Sequence, residues 1–236
     1  MRYLIYLFVI IQPFFSFNQK RSDISVYSTG DTSLWYFESR TITNKIELID
    51  MEKSKSDLMY RFWIKNQIVE ISESSNGTMN GNITYWSNEV VPKKEKPTNR
   101  VYFKKFPLDG SQTERLFHLI DSMKIDNIPD ENEIILWHQI KDGITYIIEK
   151  SDSSNYSFKT YESPSSQLEF YESNQIDYFL NEVYRIIAND NNENDFISSI
   201  PFECFNTWGT MMACKVVYGR EKRKFKQERR RYRHKN

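Results

Sequence analysis

Alternation of apolar and polar residues is clearest just past the middle of the chain. Ile144, Tyr146 and Ile148 alternate with their neighbours, and residues 156–159 repeat the pattern. β-branched and aromatic side chains at period two are typical of strands. Between them the run KSDSSN at 150–155 consists of turn formers, and Pro164 ends the second strand because proline cannot donate to a ladder. A β-hairpin is therefore predicted over 142–164.

Short segments rich in Ile, Trp, Tyr and Phe precede this hairpin and are separated by polar breaks. Such segments predict strands, here at 33–40, 45–50, 58–64, 67–73, 82–89 and 100–106. The pair at 65–66 has the length of a hairpin loop, and two Asn-Gly steps at 76–81 are turn signals because both residue types tolerate positive φ. The first half is therefore predicted to form an antiparallel meander.

Two segments follow a helical period instead. The first has a capping box at 111–114 (SQTE) and ends at 126–129 (DNIP). Its apolar stripe is Leu116, Phe117, Ile120 and Met123. The second begins at Ser173 or Asn174, and its buried stripe is Ile176, Phe179, Leu180, Val183 and Ile187.

This order of elements predicts an α+β fold: a mostly antiparallel β-sheet of meander and hairpins, with two amphipathic helices packed on one face. Exposed aromatics on the other face would form a candidate binding surface, and Tyr146, Tyr156 and Tyr161 of the hairpin are the first candidates for it. The same three residues equally fit core packing.

The first seventeen residues predict a secretory signal. One Arg precedes an almost unbroken apolar run that ends at Gln12-Pro13, the arrangement of a signal peptide. The run is shorter than the ~20 apolar residues of a membrane-spanning helix, although an uncleaved anchor and a buried segment are alternatives. Residues 18–31 then form a polar linker. An exported protein, periplasmic or secreted and without a lipid-attachment Cys near its N-terminus, is expected.

A single domain is predicted over 32–219, because one α+β domain of this size is common. The polar run at 189–195 is the one plausible internal boundary. Residues 220–236 form a basic tail, with ten Lys or Arg against two Glu, while the preceding residues hold 22 basic against 30 acidic residues. An acidic body thus precedes a basic, flexible tail.

Cys204 and Cys214 are the only cysteines. In an exported chain an even count predicts one disulfide, here closing a short loop, and two reduced buried thiols are the alternative. Two thiolates do not make a four-ligand zinc site, and no metal or cofactor is expected.

Enzymatic motifs are missing from the sequence. It contains no HExxH, GxSxG, Walker or GxGxxG motif, so metalloprotease, α/β-hydrolase, P-loop and dinucleotide-binding functions have no support. The histidines at 118 and 138 fit partly buried, hydrogen-bonded residues better than ligands. Paired carboxylates such as Glu149 and Glu162 are compatible with glycoside hydrolysis, but solvated strand-surface charges explain them more simply.

The tail is the most polarised segment. Its cations would bind polyanions through charge and guanidinium–phosphate geometry; an anionic envelope surface suits an exported protein better than nucleic acid. A solvated terminus that folds back on the acidic body is the structural alternative. The candidate surface consists of Arg220, Lys222, Arg223, Lys224, Lys226, Arg229, Arg230, Arg231, Arg233 and Lys235.

The order of strands, a helix ending at IDNIP, then DGITYIIE, YSFKTYESP and a second helix resembles uncharacterised exported proteins and lipoproteins of Bacteroidetes-type bacteria. The resemblance covers about residues 58–187 and implies no activity. The lipoproteins of that group carry an N-terminal Cys that this chain lacks.

These features favour a non-enzymatic exported protein that binds an envelope component, either an envelope protein or a polyanion. Two alternatives stay open. One is a carboxylate-dependent hydrolase of an envelope or extracellular glycan, and the other is binding of an anionic surface by the basic tail. Membrane contact would come only from an uncleaved signal or from that tail.

Overall fold

The computed structural model describes residues 21–24, 32–54, 57–91, 95–207 and 211–235. The predicted signal, 1–17, lies outside the described residues, as does most of the predicted linker. Within the described part the fold is mixed α/β, with a large, mostly antiparallel sheet and five helices.

The strands are β1 (Arg21–Ile24), β2 (Leu58–Ile64), β3 (Gln67–Glu73), β4 (Met79–Val90), β5 (Val101–Pro107), β6 (Thr145–Asp152), β7 (Asn155–Glu162), β8 (Cys204–Thr207) and β9 (Met211–Cys214). The helices are α1 (Leu34–Lys45), α2 (Gly110–Met123), α3 (Tyr171–Ile187), α4 (Asp190–Ser199) and α5 (Gly219–Lys235).

The sheet is assembled around β2. The strand order is β1-β7-β6-β2-β3-β4-β8-β9, with β5 also paired to β4. Only the β1–β7 pair is parallel, and the other described pairs are antiparallel. The predicted meander corresponds to β2–β5, and the later β6–β7 hairpin returns to pair with β2. The sheet is therefore more complex than a simple meander.

The alternation along β2 divides the core between two faces. Tyr60, Phe62 and Ile64 pack with α2 and α3 in the larger cluster of buried residues. Met59 and Trp63 belong to a second cluster on the opposite face, which α1 and the segment after it cover. Both faces of the sheet are thus covered, which corrects the prediction of two helices on one face.

Helix α1 is the clearest correction. Residues 33–40 and 45–50 were expected to be strands, but α1 takes up most of the first segment, and the second is a helix end and a turn without strand pairing. The buried residues of α1 are Ser39 and Thr43, whereas Leu34 and Phe37 are 65% and 56% exposed. Tyr36 and Ile42 also pack on the core, but small polar residues share that inward face, so the apolar signal at helical spacing is weak.

The predicted hairpin is confirmed, with longer strands and a shorter turn than expected. β6 and β7 pair from Thr145–Glu162 to Ser151–Tyr156, so the turn shrinks to two residues. Tyr156 and Tyr161 are fully buried, which assigns them to the core rather than to an exposed surface. Tyr146 is partly buried against the larger core.

The two predicted amphipathic helices are present, but their starts differ. Asp109 caps α2: its carboxylate accepts from the Gln112 backbone N–H at 2.7 Å. In return, the Gln112 side-chain oxygen accepts from the Asp109 backbone N–H at 3.1 Å. The capping box therefore lies two residues before the predicted Ser111. In α3 all five residues of the predicted stripe are buried, and the helix begins at Tyr171 rather than at 173 or 174.

The C-terminal residues return to the sheet. The polar run at 189–195 caps and begins α4, and β8 pairs with the end of β4. Cys204 and Cys214 form a disulfide across the β8–β9 pair, as predicted. The residues expected to be a flexible tail form α5 up to Lys235.

Candidate functional site

A buried charge lies at the centre of the face that α1 covers. Arg61, in the middle of β2, is fully buried and sits opposite Glu70 on β3 and Glu149 on β6. Its guanidinium is 2.7 Å from Glu70 Oε1 and 3.2 Å from Glu149 Oε2, and it donates to the Ile49 carbonyl at 2.6 Å. The antiparallel register therefore places one cation between two carboxylates.

A second cation completes this group. Arg40 of α1 lies 3.4 Å from Glu149 Oε1, and its guanidinium stacks over the rings of Tyr36 and Tyr156 at 5.0 and 5.1 Å. The Tyr156 hydroxyl donates to Glu149 Oε1 at 2.7 Å. Burial, reinforced by the charge of Glu149, raises the pKa of Tyr156, so this hydroxyl stays a donor.

These residues form what we call the buried ion network: Arg40, Arg61, Glu70, Glu149 and Tyr156. Two arginines compensate two carboxylates, which is the condition for burying charges in a protein interior. Glu149, a predicted carboxylate candidate, has no exposed surface. No substrate reaches it, so its role is structural.

The ion network is directly connected to a groove. The Trp63 indole N–H donates to Glu149 Oε2 at 2.7 Å, and Trp63 lines a groove of about 620 Å³ between α1 and the sheet. Trp35 of α1 and Trp86 of β4 line the same groove. We call it the tryptophan groove. Its other lining residues include Glu38, Ile42, Lys65, Asn66, Asn88, Asp142, Ile147 and Asn206.

The three indoles differ in exposure. Trp35 is 40% exposed, Trp63 is 5% exposed, and Trp86 is partly buried. The Trp86 Nε1 atom is itself buried and has no hydrogen-bond partner in the structure's described residues. A buried donor without a partner costs ~1–3 kcal/mol.

A second groove, of about 670 Å³, adjoins the first. Trp35 and Thr145 line both grooves, and the second also contains Trp137, Glu131 and Glu162. We call it the acidic groove. Trp35 and Thr145 therefore belong to the walls of both grooves.

Glu131 and Glu162 are the two carboxylates of the acidic groove. Glu131 accepts from the backbone N–H of Glu162, and from the Thr160 hydroxyl at 2.8 Å. Its neighbour Asp130 accepts from the Thr160 backbone N–H at 2.7 Å. Glu162 accepts from the Ile140 backbone N–H at 3.2 Å. Asp130 and Glu131 thus satisfy backbone donors of β7 beyond its last described pair with β1, and Glu162 satisfies a donor in the segment before β6.

Burial raises the pKa of Glu131 to about 7, and the nearby charges of Asp130 and Glu162 add to this effect against the opposing hydrogen bonds. A carboxyl group that titrates near neutrality is one property of a general acid. Glu131 instead accepts hydrogen bonds from Thr160 and Glu162 of β7, which indicates a structural carboxyl group whose charge state responds to pH.

The basic tail residues do not form one free surface. Arg229 is 3% exposed and lies 3.1 Å from Glu95 and 3.0 Å from Glu203, while Arg233 lies 3.3 Å from Glu95. The tail therefore folds back on the acidic body at these two positions. Arg220, Lys222, Arg223, Lys224, Lys226, Arg230 and Arg231 are exposed.

The remaining candidates stay apart from the grooves. His118 is exposed on α2, 3.7 Å from Glu114, and the exposed His138 lies in the segment between α2 and β6. Within the described ranges there is no cluster of His, Cys, Asp and Glu suited to a metal ion. None of the helices described there is long and apolar enough to cross a membrane.

Convergence of the three tryptophans was not predicted. They lie at positions 35, 63 and 86, each in a segment where an aromatic residue is explained by strand packing. Only the strand register and the placement of α1 bring them together. Comparison with models of protein families and with curated protein sequences finds no match.

Proposed function

We propose that this chain is an exported, non-enzymatic protein that binds a glycan of the cell envelope or its surroundings in the tryptophan groove. One observation carries the proposal. Indoles from α1, β2 and β4 line one groove, and the buried N–H of Trp86 has no partner within the described part of the chain.

The chemistry of the groove suits a sugar ring. Aromatic faces pack against the C–H faces of pyranoses, and side-chain amides and carboxylates hydrogen-bond their hydroxyls. Trp35 supplies an accessible ring, while Asn88, Asp142 and Glu38 supply polar groups in the same lining. A ligand hydroxyl would accept from the Trp86 indole once the ring turns its buried N–H into the groove. Apolar walls with a few polar groups are typical of small-molecule sites.

A chain of sugars fits better than a single ring. The acidic groove shares Trp35 with the tryptophan groove and contributes Trp137 as a further aromatic. An oligosaccharide lying over Trp35 would thus contact both grooves. Each further aromatic contact adds buried apolar area without requiring a deep pocket.

Binding is favoured over hydrolysis by the roles of the carboxylates. Glu149 is enclosed in the buried ion network, and Glu131 and Glu162 hold backbone amides. The exported location is supported by the predicted signal and by the Cys204–Cys214 disulfide, since such bonds persist in oxidising compartments.

The test is calorimetric titration of the full chain with soluble oligosaccharides, including muropeptides, chitin and cellulose fragments and mannans. At least one class is expected to bind. Trp86→Phe removes the N–H and keeps a ring, so affinity should fall roughly tenfold, the value of one hydrogen bond. Removal of an unpaired buried donor offsets part of the packing that Trp86 loses against the core, so the unfolding midpoint should change little.

Trp35→Ala is expected to weaken binding at least as much, since it removes the ring shared by both grooves. Tyr178→Ala is the matched control, because Tyr178 is 57% exposed on α3, a helix that packs on the opposite face. Failure of every class to bind, or unchanged affinity in both tryptophan variants, would overturn the proposal. Shortening of a bound oligosaccharide, followed by mass spectrometry, would replace binding with hydrolysis.

A further inference from the structure

Helix α5 presents a cationic surface away from the body. At 100° per residue, Arg220, Arg223, Lys224, Arg230 and Arg231 lie on one side of the helix. All five are exposed, and within the described ranges none of them forms an ion pair. We call this surface the basic face. No acidic residue of α5 interrupts it, because Glu221 and Glu228 lie outside this arc.

The opposite side of α5 is anchored. Arg229 binds both Glu95 and Glu203. The Arg100 guanidinium lies over the Tyr232 ring, 5.5 Å from the ring centroid. Charge-assisted hydrogen bonds of this kind are about twice as strong as neutral ones. The anchor orients the helix, so that the basic face points to solvent as a fixed array rather than as a disordered tail.

Exposed apolar residues lie immediately before the helix. Met211 and Met212 of β9 are each 60% exposed, and Val216 and Tyr218 are each 79% exposed. The Cys204–Cys214 disulfide ties β9 to β8, and β8 is paired with β4. Met211 and Met212 are therefore held at the surface, and all four apolar residues precede the cationic helix closely in the chain.

We infer that residues 211–235 dock the protein on an anionic phospholipid surface. The basic face would bind lipid phosphates, and the apolar residues of β9 and the linker would enter the headgroup region. This pairing of charge with exposed methionine and valine favours lipid over nucleic acid, which recognises cations but gives no gain for burying these side chains. The inference is independent of the tryptophan groove.

The experiment is co-sedimentation of the full chain with vesicles of phosphatidylcholine alone or mixed with phosphatidylglycerol. Binding is expected only to the anionic vesicles and should weaken as salt rises from roughly 0.1 to 1 M, because the screening length shortens about threefold. Neutralising three cations in Arg223→Gln/Arg230→Gln/Arg231→Gln should lower the partition coefficient roughly 100-fold, from about 1 kcal/mol per cation.

The control variant removes the same charge elsewhere: Lys45→Gln/Arg115→Gln/Lys141→Gln changes three exposed cations outside α5 and should bind as the wild type does. Met212→Ser should weaken vesicle binding without changing binding to heparin or duplex DNA. The inference would be overturned if the protein bound neutral and anionic vesicles equally, or if both triple variants lost vesicle affinity to the same extent. It would also be overturned if Met212→Ser left vesicle binding unchanged and the protein bound DNA more tightly than vesicles.

Discussion

Arg61 is the residue on which the buried face of the sheet depends most. It is fully buried between Glu70 and Glu149, so removing its charge leaves two carboxylates near each other without their shared cation. Breaking a buried ion pair from one side typically costs ~3–5 kcal/mol. Arg61→Met is therefore expected to lower the free energy of unfolding by about that amount, measured by urea denaturation.

The matched control is Arg185→Met, which removes an exposed arginine paired with Glu182 on α3. Exposed ion pairs contribute little, so its unfolding midpoint should stay near that of the wild type. Equal midpoints for both variants would mean that the buried ion network does not stabilise the fold.

Glu131 makes stability depend on pH. Its pKa in the folded protein is about 7, raised from 4.5 by burial. The folded state therefore holds the proton more tightly than the unfolded state. The resulting stabilisation is fully present below pH 4.5 and is lost as pH rises to about 7. The free energy of unfolding, measured with urea from pH 4.5 to about 7, should therefore decrease as pH rises. Glu131→Gln keeps an acceptor for the Glu162 amide and should make this pH dependence smaller.

Residue-level candidates show what a sequence can and cannot identify. The Cys204–Cys214 pair was predictable from an even count and a short spacing. Trp35, Trp63 and Trp86 were not, because an aromatic in a strand-like segment is first explained by packing. Their convergence depends on long-range register, which local patterns do not encode.

At the scale of elements, the cap of α2 offers a sharp test. Asp109→Ala removes the side chain that accepts from the Gln112 amide and should cost ~0.5–2 kcal/mol. Ser111→Ala, at the position that the sequence pattern indicated as the cap, lies inside the helix and should be nearly neutral. Thermal unfolding of both variants decides between the two caps; a larger loss for Ser111→Ala would contradict the structure.

Prediction of helices and strands succeeded where the buried residues recur at the spacing typical of that element. The β6–β7 hairpin and the stripe of α3 bury their apolar residues at spacings of two and of three to four. It failed for α1, which buries Ser39 and Thr43 and leaves Leu34 and Phe37 exposed. Aromatic-rich composition indicated a strand there, and tertiary contacts, including Arg40 with Glu149, override that preference.

At the scale of the whole molecule, ion pairs of Arg229 and Arg233 fasten the C-terminal helix to the body. Arg229→Gln removes the charge that joins α5 to Glu95 and Glu203, and hydrogen bonds to charged groups contribute ~1.5–3 kcal/mol. Amide exchange in residues 219–235 should accelerate by roughly tenfold or more. Arg230→Gln, an exposed neighbour, is the control, and equal exchange in both variants would show that α5 is not held by this anchor.

The charge asymmetry of the chain explains this arrangement. An acidic body with 30 acidic against 22 basic residues meets a tail with ten basic against two acidic residues. Two of those cations, Arg229 and Arg233, neutralise Glu95 and Glu203, and the basic face remains for an external anion. The asymmetry was visible in the sequence, but the division of the tail into an anchored side and a free side needed the structure.

The proposed glycan site is tested most directly by the indole N–H resonances of the ¹⁵N-labelled protein. Trp→Phe variants assign the signals of Trp35, Trp63, Trp86 and Trp137. Addition of the oligosaccharide class that binds in calorimetry should shift Trp86 most, as its buried N–H gains an acceptor, and should shift Trp35 as well. Unchanged Trp35, Trp63 and Trp86 resonances at saturating ligand would place the binding elsewhere and contradict the proposed function.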